Sequence, residues 1–309
     1  MTRREPARDV AASVRQRLLN KARADGTDYN QLLIRYAIER LLYRLSVSPH
    51  RRAFVLKGAM LFAVWRGSPH RPTQDLDLLG FGERSGTRLV DLFRELCTLP
   101  VEHDGLRFDP ASVAADEIRT TDEYGGIRVT LAASMGSAAL RVQVDVGFGD
   151  AMTPAALDAE YPALLDGLPR ATLRTYPRAT VVAEKLEAIA KLGMLNSRLK
   201  DYYDLHYLAQ AFEFDGPTLG AAIAATFARR GTPIPTGLPP GLTDAFAADA
   251  AKRRQWQAFR LRLGDRRSPE SLMAVVDELA VFLGPPLAGA VTTASPTIWS
   301  PGGPWKPCQ

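Results

Sequence analysis

The sequence predicts an α/β (α+β), bilobal chain: leading helices, a mixed sheet, then a helical C-terminal lobe. Three observations predict it. Apolar residues recur at helical spacing over 28–46 and in several segments after residue 176. Between 106 and 149 the period shortens, and glycines separate runs such as "GGIRVTLAA" and "ALRVQVDVGFG". Ahead of these, "AFVL" and "QDLDLLGFG" read as strands bracketing a short helix.

Taken in order, 8–23 and 28–46 are expected to be helices. In the second, Leu32, Leu33, Tyr36, Ala37 and Leu41 share a face, and Asp28 or Thr27 caps the start. "SPHRR" ends that pattern. Residues 53–56 form a strand, "KG" turns the chain, and 59–65 suit a helix packed on the strand. A loop, "RGSPHRP", leads into a strand over 74–82. Residues 87–98 are amphipathic through Leu89, Leu92, Phe93 and Leu96. Strands over 106–149 are expected to be mostly antiparallel. After Asp150 the chain is expected to be helical: 178–193, 199–211, 217–229, 250–263 and 269–283. The tail is rich in Pro, Gly, Ser and Thr. It reads either as a loose end or as an arm that lays its two tryptophans on the body. The lobes divide within 150–176, placed as 1–165 and 166–309.

Composition is that of an ordinary globular chain: 309 residues, 46% hydrophobic, 24% charged, net charge +5. A mildly basic balance favours an anionic partner. Basic side chains concentrate in two places. One is 1–23 (Arg3, Arg4, Arg8, Arg15, Arg17, Lys21, Arg23); the other is 252–267 (Lys252, Arg253, Arg254, Arg260, Arg262, Arg266, Arg267). Either is a solvated helix face or a nucleic-acid contact. The two cysteines, Cys97 and Cys308, indicate neither a disulfide framework nor a zinc site. The four histidines lack ligand spacing, and His206 has no evident partner. The charged N-terminus lacks an apolar signal core, and the longest apolar stretch, "AFVLKGAMLFAVW", is short and broken by Lys57. A cytoplasmic protein with no membrane contact is expected.

The chemistry concentrates in "RPTQDLDLLG". Alternation in a strand points Asp75 and Asp77 to one face and sends Leu76 and Leu78 into the core. Two carboxylates on one face repel unless a cation lies between them. Mg²⁺ suits such oxygen donors together with substrate phosphates. A third acid, Asp145, lies between Val144 and Val146, where an unpaired carboxylate is expensive. Three such donors can hold two Mg²⁺ ions, which activate a hydroxyl and stabilise a leaving pyrophosphate. The plainer account makes Asp75 and Asp77 loop or ion-pair residues. Lys185 is either a surface lysine of a charged helix or a point charge for phosphate oxygens. Asp201 either pairs with Arg198 on its helix or holds Lys185. Of Tyr202, Tyr203, Tyr207 and Phe212, most are expected in the core, with one able to stack on a nucleobase.

"FVLKGAMLFAVWRGSPHRPTQDLDLLGFG", then "VQVDVGFGD", then "ATVVAEKLEAIAKLGMLNSRLKDYYDLHYLA" resembles the AbiEii/AbiGii toxin family, which includes the mycobacterial MenT toxins. These are minimal nucleotidyltransferases of the DNA polymerase β superfamily. The resemblance covers about residues 50–210. It implies a polymerase β-type core and metal binding by Asp75, Asp77 and Asp145. It implies catalytic roles for Asp75, Asp77, Lys185 and Asp201, with Asp204 the lesser candidate for the Asp201 slot. Nucleotide binding falls to Lys57, Gly58, Arg71, Thr73 and Lys185, with the triphosphate on backbone N–H groups of the Lys57–Gly58 turn. Many relatives place a Ser or Thr hydroxyl at that turn; here it reads Ala59-Met60, and Lys57, Arg66 or Arg71 supplies charge instead. The resemblance further implies an Mg²⁺-dependent bacterial toxin that transfers NMP from an NTP to the 3′ end of tRNA, blocks translation and is restrained by a cognate antitoxin. Alternatives are transfer to a protein, a sugar-nucleotide transferase using D-x-D, and a decayed RNA- or partner-binding module. Against the sugar-nucleotide reading, no βαβ half precedes Asp75.

Overall fold

The computed structural model describes residues 9–118, 125–264, 268–291 and 297–308. The chain forms two compact units: residues 1–149 with 157–175, and residues 150–156 with 176–309.

The first unit opens with helices α1 (Val10–Asp25) and α2 (Tyr29–Val47), capped by Asp9 and Asp28, whose carboxylates accept from Ala12 N at 3.0 Å and Gln31 N at 2.8 Å. Strand β1 (Phe54–Lys57) follows. A 3₁₀ turn over Gly58–Met60 and a short helix α3 (Leu61–Arg66) stand where one helix over 59–65 is expected. Next come β2 (Asp75–Gly80), α4 (Gly86–Thr98), β3 (Arg107–Phe108), β4 (Ala114–Glu117), β5 (Ile127–Met135) and β6 (Ala138–Phe148).

After Asp150 helices form where expected from Arg178 onward, but unexpected strands come first. A hairpin, β7 (Leu157–Glu160) and β8 (Thr172–Thr175), rejoins the first unit's sheet, with β8 parallel to β1. Charges buried on α2 hold it there. The Glu39 carboxylate accepts from Leu164 N at 2.7 Å, and the Arg40 guanidinium donates to Pro169 O at 2.8 Å. Burial pushes the Glu39 carboxyl above its usual range despite the adjacent Arg40. Such charges are tolerated inside only because each meets a partner, and periodicity cannot announce that.

The sheet runs β3-β5-β6-β2-β1-β8-β7, with β4 added on β5; β2–β6 and β1–β8 are parallel and the other pairs antiparallel. One face is apolar: Leu56, Leu78, Val146 and Ile127 lie in register and are buried. Helix α4 covers it through Phe93, edge-on to Phe54 at 6.3 Å. Helix α2 covers it through Arg44, whose guanidinium lies 4.8 Å from the Phe108 ring centre and is ion-paired with buried Asp104 at 2.6 Å. On the opposite face Val55 and Leu79 lie in register and are also buried, next to Lys57 and Asp77.

The second unit contains α5 (Arg178–Leu192), α6 (Leu199–Ala211), β9 (Phe214–Asp215), α7 (Gly216–Arg229), α8 (Asp244–Ala248), α9 (Ala250–Leu263), α10 (Leu272–Gly289), β10 (Thr297–Trp299) and β11 (Trp305–Pro307). Helix α10 runs past the expected end at 283, through Pro285 and Pro286. By length and composition α10 could cross a membrane; here Val275, Val276, Leu279, Phe282 and Leu283 are buried in its own unit. Of the two tail readings, the docked arm holds. Strands β9, β10 and β11 make a small antiparallel sheet, and Trp299 is 1% exposed, its indole N–H donating to Ala209 O at 2.7 Å. Trp305 stacks on Phe282 at 6.2 Å. Trp299→Ala should therefore cost about 3–5 kcal/mol in urea unfolding, the range for emptying a buried aromatic site.

Candidate active site

The working face of the sheet carries a row of charges set by register. Lys57 on β1 lies opposite Asp77 on β2, Asp77 beside Asp145 on β6, Asp145 opposite Arg128 on β5, and Arg128 opposite Asp116 on β4. Residues directly across a ladder share a face, so five charged side chains stand on one face in the order plus, minus, minus, plus, minus. Asp75 lies two residues before Asp77 on the same face. One carboxylate oxygen from each of Asp75, Asp77 and Asp145 lies within 4.8 Å of the others. All three side chains are half-buried, while Leu76 and Leu78 behind them are 1% exposed.

Gly58 has a role beyond turning the chain. Its φ is +72°, and a Cβ there would come within 2.6 Å of Asp77 Cγ and 2.7 Å of Asp77 Cβ. Asp77 therefore occupies the space that any larger residue would need. Lys57, expected in a turn, is instead the last residue of β1. Thr73, just before β2, donates its hydroxyl to Asp75 Oδ1 at 2.8 Å and so orients that carboxylate. Arg71 lies in the same segment, four residues before Asp75. The three carboxylates are hard oxygen donors, one oriented by Thr73 and one packed on the bare Gly58 backbone. This donor set fits a small divalent cation such as Mg²⁺.

Asp145 has a partner that sequence reasoning missed. Arg128 Nε donates to Asp145 Oδ1 at 2.8 Å, and Nη2 donates to Oδ2 at 2.7 Å. The paired reading of this acid is thus satisfied within the protein. The signal was present in "GGIRVTLAA": an arginine between two inward-facing apolar residues must point to the other face.

Lys185 and Asp201 belong to the second unit. Lys185 Nζ donates to Asp201 Oδ1 at 2.6 Å and to Asp204 Oδ2 at 2.8 Å. Arg198 Nε donates to Asp201 Oδ2 at 2.8 Å. Both readings of Asp201 therefore hold at once. Asp204, the lesser candidate for the Asp201 slot, is as buried as Asp201 and grips the lysine with it. Residues 201 and 204 are three apart on α6, so both face α5. Burial alone would raise the Asp201 carboxyl, but Lys185 and Arg198 outweigh it and hold it below its usual value. His206 does have a partner, Glu278 Oε2 at 2.9 Å from Nδ1. Tyr202 and Tyr203 are core residues; Tyr202 stacks on Phe246 at 5.2 Å. Phe212 lies under the Arg178 guanidinium at 4.3 Å. On α9, Arg253, Arg254 and Arg262 are exposed, whereas Lys252 is buried, donating to Asn196 O at 2.8 Å. Arg3, Arg4, Arg8, Arg266 and Arg267 lie outside the described residues.

The mixed sheet thus carries, on the face away from α2 and α4, three carboxylates that could hold a metal ion. The sequence profile of the nucleotidyl transferase AbiEii toxins of type IV toxin–antitoxin systems matches residues 40–278, and the chain belongs to that family. It is accordingly a nucleotidyltransferase, with an NTP as substrate and an antitoxin as partner. Two solved structures from Helicobacter pylori are similar. A candidate nucleotidyltransferase is 14% identical, with TM-score 0.47, over 83% of this chain and 95% of its own. The protein JHP933 is 14% identical, with TM-score 0.40, over 77% and 94%. No curated protein matches the chain.

Two outcomes follow from this geometry. Gly58→Ala displaces Asp77 and should lower nucleotide transfer by about 10²-fold, the effect of an ångström-scale misplacement, in steady-state assays. Asp201→Asn should cost about 3–5 kcal/mol at neutral pH, the range for breaking a buried ion pair. Because the folded-state Asp201 pKa is depressed, this contribution is present above the unfolded value and lost as pH falls through the folded one. The stability gap between wild type and Asp201→Asn, followed by urea unfolding from pH 7 downwards, should close in acid.

Proposed function

We propose that the chain is an Mg²⁺-dependent toxin that transfers a nucleoside monophosphate from an NTP to the 3′ end of tRNA in the bacterial cytoplasm, blocking translation. The observation that carries this reading is the convergence of Asp75, Asp77 and Asp145 oxygens within 4.8 Å on one face of the sheet. Asp75, Asp77 and Asp145 would hold the metal, which when bound supplies charge to the triphosphate and lowers the pKa of an attacking hydroxyl. The acceptor hydroxyl loses its proton to solvent, its oxygen bonds to the α-phosphorus, and the α–β phosphoanhydride bond breaks as pyrophosphate departs. Thr73 keeps Asp75 turned toward the cation. Lys57, Gly58 and Arg71 flank the triad in sequence or register and are assigned to the phosphates. Lys185, fixed by Asp201 and Asp204, is assigned to nucleotide phosphate as a point charge. Support for an RNA acceptor comes from the resemblance to tRNA-modifying toxins and from the exposed arginines of α9, which suit a phosphate backbone.

The test is purified protein with Mg²⁺, each α-labelled NTP in turn, and total tRNA. Label should move to the tRNA 3′ end. Asp75→Asn and Asp77→Asn should each reduce transfer on the order of 10³-fold, as expected when several kcal/mol of charge stabilisation are lost. Label on protein would make the acceptor a polypeptide. A protein that transfers no label yet stays toxic as Asp75→Asn and as Lys185→Ala would be a binding module.

A further inference from the structure

Arg128 makes a contact for which the nucleotidyl-transfer reading has no use. Its guanidinium forks onto Asp145, so both oxygens of the triad's third acid are engaged by one cation of the same chain. Gln143, adjacent on the face, brings its amide oxygen to Nη2 at 3.2 Å and Nε at 3.3 Å when the amide is turned oxygen-inward. The hydrogen bond to Asp145, with the charges of Asp145, Asp75 and Asp77, holds the Arg128 proton more tightly than usual, against a smaller opposing effect of burial. The side chain is nonetheless 42% exposed, so a move away from Asp145 would not have to displace a packed core.

Charge counting gives this contact a meaning. Three carboxylates carry three negative charges. Arg128 offsets one of them at Asp145, and Lys57, opposite Asp77, stands at the other end of the triad. With Arg128 withdrawn, the Asp145 oxygens become available to a further cation. A place to withdraw to exists in the register. On β4, Asp116 stands directly opposite Arg128, on the side away from Asp145, and is exposed. Facing pairs in an antiparallel ladder have Cβ atoms about 5 Å apart, within reach of an arginine side chain.

We propose that Arg128 is an internal counter-cation for Asp145: it holds that carboxylate while one divalent ion occupies the triad, and passes to Asp116 when a second cation claims Asp145. Arg128 is thus a positioning residue that sets how many metal ions the site accepts. This rests on the triad being a metal site.

The test is Mn²⁺ binding to the full chain without nucleotide, followed by electron paramagnetic resonance. Wild type should bind one ion tightly. Arg128→Gln should bind a second ion, or bind Mn²⁺ about tenfold more tightly, and Asp116→Asn, which removes the alternative partner, should weaken the second ion by about tenfold, the scale on which groups outside the ligand set tune affinity. Arg128→Gln with unchanged or weaker Mn²⁺ binding overturns the proposal. If Arg128→Gln does not fold, Asp116→Asn decides alone: a surface change that leaves Mn²⁺ binding unaltered overturns the idea. Asp75→Asn separates the two levels. If it leaves Mn²⁺ binding intact, the metal reading of the triad itself fails, whatever Arg128 does.

Discussion

The parallel pairing of β2 with β6 is the constraint on which the site depends. It sets Asp77 and Asp145 side by side, a placement that like charges resist. The strands accept it because Leu76, Leu78, Val144 and Val146 fill the opposite face with buried apolar surface. Each such side chain contributes about 1.5–3 kcal/mol on burial. The cost of crowding acids on one face is therefore borne by the other. A one-residue slip would turn the carboxylates into the core and the leucines to water, so the apolar face also locks the register.

The crowded acids are then managed by neighbours rather than diluted. Lys57 closes one end of the row and Arg128 faces Asp145 at the other. Thr73 fixes the rotation of Asp75, and the missing side chain at Gly58 makes room for Asp77. Each device is local and small. Together they hold three like-charged groups close enough to share a cation, which water-exposed carboxylates would not do unaided.

The second unit applies a related principle to one lysine. Lys185 is 14% exposed and lies against two buried carboxylates, a geometry that costs desolvation and is repaid by short, charge-assisted hydrogen bonds. Arg198 balances the surplus negative charge at Asp201. Elsewhere in that unit Arg230 meets Asp150, Glu184 and Glu187 in the same manner. The arm that ends the chain adds its tryptophans to the apolar core around Phe282.

Local pattern determined much of this molecule: the boundaries of α2, α4, α5 and α6, the strand carrying Asp75 and Asp77, and their common face. These follow from backbone periods of 3.6 and 2, which a sequence displays directly. Tertiary structure alone decided that β7 and β8 return to the first sheet, that Arg128 faces Asp145, that Asp204 shares Lys185 with Asp201, and that the tail docks. Each of these joins residues far apart in the chain or turns on which of two candidates a helix face presents. Register and burial, not spacing, settle such pairings, because the partner that makes a buried charge tolerable is chosen only when the elements pack.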